Sequence, residues 1–517
     1  MKDHRTAAAG SVAIATSLLL GACTVGPNYV KPGVAVPAAY KENANWHASD
    51  WSTAQPGDEL KRGAWWEVFG DPVLNGLEAQ VNVSNQTLVQ VEAEYREARA
   101  LVGEARASYF PTVAVSPSAS RSGRYANASG LGLAPGEPDS SHPTNFYSLP
   151  LSASWEPDLW GKVRRTVEAN VDTAQAAAAT IESTRLSLQA LLAQDYLQLR
   201  ITDEQKRLLD DTVVAYQKSL LLTQNQYNVG VAARADVVEA QAQLQAAQAQ
   251  AIDLGIARAQ FEHAIALLIG KAPADLSIAV VPLKLETPPI PPAGLPSELL
   301  ERRPDVAIAE RQAAAANAQI GVAKAAYFPS LTLSASGGFE SATFSRWLQA
   351  PSIFWSLGPQ LAETIFDGGL RRSQTAQARA GFDAAVANYR EVALAALQNV
   401  EDNLAALRIL EQEAAVEDEA VKSSEKFLQI TLNQYKAGTV SYLNVVTAQT
   451  TAYANERSAI TILGTRLNDS VALIMALGGG WQASDLPPAH DISARHLTQA
   501  EEGLSHPPQD EGSSDHQ

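Results

Sequence analysis

Acidic and basic side chains crowd together at Glu301, Arg302, Arg303 and Asp305 in the stretch ERRPD, where acid–base chemistry would first be sought. Pro304 argues for another role, because proline suits the first turn of a helix, where its missing N–H goes unnoticed. The charges then read as a local capping and packing device. Of the eight histidines, His4, His490, His496, His506 and His516 lie near the termini, and His47, His142 and His263 are far apart without metal-ligand spacing. No phosphate loop, nucleophile elbow or metal cluster is found, and no enzyme is expected. Cys23 is the single cysteine, which excludes an intramolecular disulfide.

The residues that do recur point to architecture. NQYNVGVAARADVVEAQ, from Asn225 to Gln241, returns as NQYKAGTVSYLNVVTAQ, from Asn433 to Gln449. Gly230 and Gly438 sit at the centre of the two copies, where glycine can take the positive φ that ends a helix. Each copy therefore reads as the tip of a helical hairpin in a chain built from two copies of one unit. From Lys162 to Val229 there is neither Gly nor Pro, which allows a helix on the order of 100 Å at about 1.5 Å per residue. Its later part places Leu209, Val213, Tyr216, Leu220, Thr223 and Tyr227 on a coiled-coil seam. The returning arm answers with Val237, Ala240, Leu244, Ala247, Ala251 and Leu254, then Phe261, Ile265 and Leu268. Arg258 interrupts that seam and is expected to snorkel outward. The second half reads alike, with a long helical stretch broken only at Gly381.

Between the helices the period changes from helical to two. Val113 and Val115 alternate with polar or small neighbours, as do Leu149, Leu151, Ala153 and Trp155, and again Leu331 and Leu333, then Ile353, Trp355 and Leu357. Each half thus supplies a strand hairpin with unlike faces. Four strands leave exposed edges in lipid, while a membrane barrel takes at least about eight, so the chain must oligomerise to close one, and three copies would supply about twelve.

Hydrophobic residues make up 46% of the 517, enough for a folded core. The net charge of −17 excludes the basic stripe that nucleic acid would require. The amino terminus carries Lys2 and Arg5, then an apolar core through Leu20, then Gly21 and Ala22, which is an export signal. LGAC resembles a bacterial lipobox. That resemblance implies that Cys23 is lipidated, with palmitate among its acyl chains, and becomes the first residue of the mature chain. Thr24 in place of an aspartate implies the outer membrane. No transmembrane helix is expected after Cys23, and no cofactor beyond the covalent lipid.

These features divide the chain into a signal (1–22), a lipid-anchored extended segment (23–70) and a first repeat (71–270). The first repeat holds one helix from Pro72 to about Ala107, strands within 111–156 and a tip near 230. A proline-rich linker (271–295) precedes the second repeat (296–478), with strands within 329–365 and a tip near 438. A polar, mobile tail (479–517) follows.

Across essentially the whole mature chain, GACTVGPNYVKP, WWEVFGDPVL, the paired YFP motifs, WEPDLWGKVRR, LLERRPDVAIAE and the two tips resemble the TolC-type outer-membrane efflux channels, in their NodT-like lipoprotein branch. The resemblance implies a mainly α fold, internally duplicated, whose long coiled-coil hairpins form a periplasmic tunnel under a trimeric barrel of four strands per chain. It implies a homotrimer in outer-membrane lipid, a periplasmic adaptor and an inner-membrane pump, proton-driven, with the channel as passive exit duct for small toxic or amphipathic compounds. By similarity, Gly230, Val231, Gly438 and Thr439 form adaptor-docking grooves. Gate candidates are Tyr435, Asn444 and Thr447 on the second hairpin, where amides and hydroxyls replace the family's acidic ring, and Arg234, Asp236 and Glu239 on the first. Metal-ion efflux and protein secretion stay open as cargo alternatives. A periplasmic adaptor would need one hairpin flanked by compact β-domains and has no use for paired lipid-facing strands.

Overall fold

A computed structural model describes residues 24–42, 64–123, 143–281 and 296–493. Cys23, the signal, His47 and His142 lie outside them. In the first half, helices α1 (Pro72–Ser84) and α2 (Gln86–Ala107) lead into strands β1 (Thr112–Val115), β2 (Ser118–Ser122) and β3 (Thr144–Trp155), followed by helices α3 (Lys162–Asn228) and α4 (Arg234–Leu268). The second half has α5 (Pro296–Arg302), α6 (Pro304–Ala325), β4 (Ser330–Ser341), β5 (Ile353–Ala362), α7 (Leu370–Lys436) and α8 (Tyr442–Ala476), with a short α9 (Ala489–Ser493) at the end. The duplication is metrically faithful: α3 and α7 both have 67 residues, and α4 and α8 both have 35.

The single helix expected from Pro72 to Ala107 is instead two. Asn85 adopts an extended conformation, its Oδ1 accepts the N–H groups of Thr87 and Leu88 at 2.9 and 3.1 Å, and its Nδ2 donates to Leu268 O at 2.8 Å. An asparagine that caps the following helix and ties down the end of α4 outweighs helical continuity. The break expected at Gly381 is absent, and α7 runs through it; one interior glycine costs about 1 kcal/mol, which a helix packed along its length absorbs.

The strands form one antiparallel sheet in which β3 pairs β1, β2 and β4, and β4 pairs β5. β1 and β2 share one register against β3, Val115 facing Leu151 and Ser118 facing Ser148. They are one strand interrupted where Pro117 lacks an N–H to give the ladder. The two halves meet in this sheet through β3 and β4, Trp155 facing Leu333 and Tyr147 facing Ser341.

The main core lies where α1, α3, α4 and α8 cross, around Leu74, Val81, Leu192, Tyr196, Leu199, Ile265, Leu467 and Ile474, with Trp65, Trp66 and Phe69 packed beneath. α8 has the length and mean hydropathy, 1.2, of a membrane span, yet its apolar stripe of Val445, Ala448, Leu467, Val471 and Ile474 is buried in the protein. Nearer the tips the α3–α4 seam buries Leu209, Tyr216, Ala247 and Ala251, with Val213, Leu244 and Leu254 beside them.

Arg258 does not snorkel outward. Its guanidinium donates to Asp203 Oδ1 at 2.7 Å, Glu262 Oε2 at 3.3 Å and Ile278 O at 2.6 Å, and Glu262 also accepts the Ile278 N–H. The charge interrupting the seam thus clips the start of the inter-repeat linker to the hairpin. The tail, expected to be mobile, is packed as far as Ser493. Ile492 is buried among Ala98, Val102, Val171 and Ala174, and Gln175 Nε2 donates to Pro487 O at 3.1 Å.

Candidate functional site

At the first tip Gly230 takes φ 80°, its N–H donates to Tyr227 O at 2.9 Å, and that of Val231 to Gln226 O at 2.8 Å. At the second, Gly438 takes φ 73°, donating to Tyr435 O at 2.9 Å, while Thr439 donates to Gln434 O at 3.0 Å. Both are Schellman closures, in which a left-handed residue satisfies the last carbonyls of a helix. A Cβ at either glycine would meet nothing within 4 Å, so the constraint is the dihedral alone. Around the closures Val229, Val231, Val238 and Leu443 stand exposed, an apolar display at the end of each hairpin.

The six gate candidates do not form one group. Tyr435 is buried, its hydroxyl 3.0 Å from Thr223 Oγ1 and its ring 5.6 Å from that of Tyr442, in a cluster with Ala240 and Val445. Gln226 Nε2 donates to Tyr435 O at 3.2 Å. These contacts lock the two hairpins of one protomer together. Burial raises both phenols above their ordinary range, with Tyr435 and the nearby Glu239 and Asp236 carboxylates adding to the effect on Tyr442. Both rings therefore stay neutral hydrogen-bonding groups. Asn444 and Thr447 are exposed, and Thr447 Oγ1 spends its proton on Leu443 O at 3.0 Å. On the first hairpin Asp236 Oδ2 accepts the Ala233 N–H at 3.0 Å, a helix-capping bond, and Arg234 is exposed. Above the tips a cleft of about 450 Å³ opens between the hairpins, lined by Tyr216, Ser219, Leu432, Gln449 and Tyr453.

Sequence reasoning missed a second constellation, which seats the segment after Cys23. Val25 N donates to Trp160 O at 3.1 Å, and the buried Arg165 donates to Val25 O at 3.4 Å, Asn28 Oδ1 at 2.9 Å and Glu168 Oε2 at 2.7 Å. A Cβ at Gly321 would lie 2.7 Å from Arg165 Cγ, and one at Gly26 would lie 2.6 Å from Gly321 Cα. Backbone-to-backbone approach at this point needs both glycines. Further along, Tyr29 donates to Glu310 Oε1 at 2.8 Å, and Arg311 bridges Glu310 to Asp172. Burial, opposed by Arg311, pushes the Asp172 carboxyl up to about 7. The paired arginines of GKVRR and the GPN turn were the available signals, but neither spacing says that they meet. Arg303 donates to Asp305 and to Ala476 O at 3.0 Å, as expected of a local capping device.

The sheet has two chemically distinct faces. One presents Val113, Val115, Leu151, Leu333, Trp355, Leu357 and Leu361, all exposed, with Trp355 at 77%. The other presents Thr112, Ser118, Ser120, Ser148, Ser152, Ser154, Ser334, Ser336, Ser356 and Gln360. An apolar outward band and a polar inner face are what a membrane barrel requires. Among the described residues no group of His, Cys, Asp and Glu is placed to hold a metal ion.

The family model described as outer membrane efflux protein matches residues 78–271 and 295–479. The probable efflux pump outer membrane protein TtgC of Pseudomonas putida is 30% identical over 473 residues, covering 90% of this chain and 94% of that one. The pyoverdine export outer membrane protein OpmQ of Pseudomonas aeruginosa is 31% identical over 91% of this chain and 96% of its own length. Among solved structures the outer-membrane channel OprN, 31% identical, superposes with a TM-score of 0.79 over 89% of this chain and 100% of that one. The CmeC channel of Campylobacter jejuni, at 24% identity, shares the fold with a TM-score of 0.80 over 91% of this chain and 98% of its own. With its duplicated hairpins, two-faced sheet and matches spanning both repeats, the chain belongs to the outer membrane efflux protein family.

Proposed function

We propose that three copies of this chain form the exit duct of a tripartite efflux system, anchored by a lipid on Cys23 and docked at its tips to a periplasmic adaptor and an inner-membrane, proton-driven pump. One observation carries the reading: an open sheet, apolar on one face and edged by β1, β2 and β5, sits on helical hairpins about 100 Å long. An open edge is untenable in lipid. Closure by neighbouring copies satisfies it and turns the hydroxyl face inward. The cargo is a class of small toxic or amphipathic compounds, supported by relatives named for toluene and pyoverdine export. Native mass spectrometry of protein extracted from outer membranes tests the assembly, and growth of a deletion strain against solvents and amphipathic toxicants tests the cargo. Monomers in the extract, or unchanged tolerance of the deletion strain, refute the respective parts.

A further inference from the structure

Among the described residues the inner face of the sheet is almost free of charge. Strand alternation assigns to it the even-numbered residues of all five strand segments, which are serines, threonines and other neutral residues with one exception, Glu340. Among the described residues the only other charged strand residue, Arg121, has the opposite parity and pairs with Asn145 at the far end of β2. Glu340 stands opposite Ser148, whose hydroxyl donates to Glu340 Oε1 at 3.4 Å, and its side chain is exposed on that face. β4 rises from the helical end at Ser330 and finishes at Ser341, which places Glu340 at the outer rim.

Resting on the trimeric barrel proposed above, we propose that the three Glu340 carboxylates form a ring at the extracellular mouth that enriches cations and repels anions, and that this ring sets the charge preference of the exit. About twelve strands spaced about 4.8 Å apart and tilted about 40° give a radius of about 12 Å. At about 0.01 M salt the screening length is about 30 Å, so three charges at that radius enrich monovalent cations on the axis about threefold. At about 1 M it shrinks to about 3 Å and the ring no longer reaches the axis. The hydroxyl lining below it, polar yet uncharged, passes solutes of either sign.

Reversal potentials of the purified protein in planar bilayers, under a KCl gradient at low and at high salt, test the ring. Glu340→Gln is expected to lower the cation-to-anion permeability ratio by about tenfold at low salt, about threefold from lost cation enrichment and about threefold from lost anion depletion, and to leave it unchanged near 1 M, and Glu340→Lys to shift it further the same way. Both side chains are exposed replacements that leave the sheet hydrogen bonds intact. Equal reversal potentials for native protein and both variants at low salt overturn the ring while leaving the channel reading standing. Native protein that forms no channels overturns the channel reading and the ring with it.

Discussion

Glu78 lies on α1 with its side chain fully buried beside Leu74, Leu77 and Val81, and among the described residues neither carboxyl oxygen has a hydrogen-bond partner. Burial alone pushes its pKa from 4.5 up to about 9. The folded value lies above the unfolded one, so the associated stability is fully present below about pH 4.5 and is lost as pH rises toward 9. In that window the unfolded chain releases a proton that the folded chain keeps. At about 1.4 kcal/mol per pH unit, the loss at pH 7 is about 3 kcal/mol and at pH 5 under about 1 kcal/mol. Glu78→Gln keeps the shape of the protonated acid and has nothing to titrate. Urea unfolding of the purified protein in detergent should show the variant more stable than the native chain by about 3 kcal/mol at pH 7, with the curves converging toward pH 5. Parallel pH profiles, or a variant no more stable at pH 7 than the native protein, would refute the reasoning and place a compensating partner beside Glu78.

Replacing Gly230 and Gly438 together by valine forces a β-branched residue to positive φ at a cost of about 1–3 kcal/mol each; efflux should be lost in a drug-accumulation assay while the protein still fractionates with the outer membrane. Tyr435→Phe removes the bond to Thr223 and should cost about 1 kcal/mol in unfolding experiments, whereas Tyr435→Ala should also part the two hairpins and raise single-channel conductance. Cys23→Ser should abolish palmitate labelling without abolishing the channel, because the strands themselves bury apolar side chains in lipid.

Periodicity made the architecture legible. The tips, the seams and the alternating strands are local patterns, and local patterns survive in sequence. What stayed hidden depends on contacts between distant segments. Asn85 broke a helix because Leu268 O was waiting for its amide, Arg258 turned inward because Asp203 and Ile278 could receive it, and Ile492 found a socket in a tail with no periodicity of its own. Among the gate candidates, the resemblance that grouped Tyr435 with Asn444 and Thr447 carries no information that helical phase turns one toward Thr223 and the others toward solvent. Partners outside the chain are equally invisible to spacing.

The duplication also says where the next copy belongs. Within one chain α3 packs against both α2 and α6, whereas α7 packs against α6 but has no comparable contact with α2. The missing contact is the one a neighbouring subunit's α2 would supply in the proposed trimer. In the chain itself Arg165, near the start of α3, lies across Gly321 of α6. At the 208-residue offset that superposes the two 67-residue helices, the place of Arg165 is taken by Ser373, near the start of α7 and exposed, and Gly321 is answered by Gly103 of α2, where a Cβ would meet nothing within 4 Å. Among the described residues Gly103 thus has no close neighbour inside its own subunit, and the start of α7 laid across it from the next subunit would give it one. Gly103→Cys combined with Ser373→Cys should oxidise to disulfides that link subunits into covalent trimers on a non-reducing gel, since close packing of this kind brings Cβ atoms toward the about 3.8 Å that a disulfide needs. Gly103→Val should leave the isolated chain folded but weaken the trimer. If the paired cysteines stay reduced under oxidant while native trimers persist, the two halves are not used equivalently, and α7 meets its neighbour through another face.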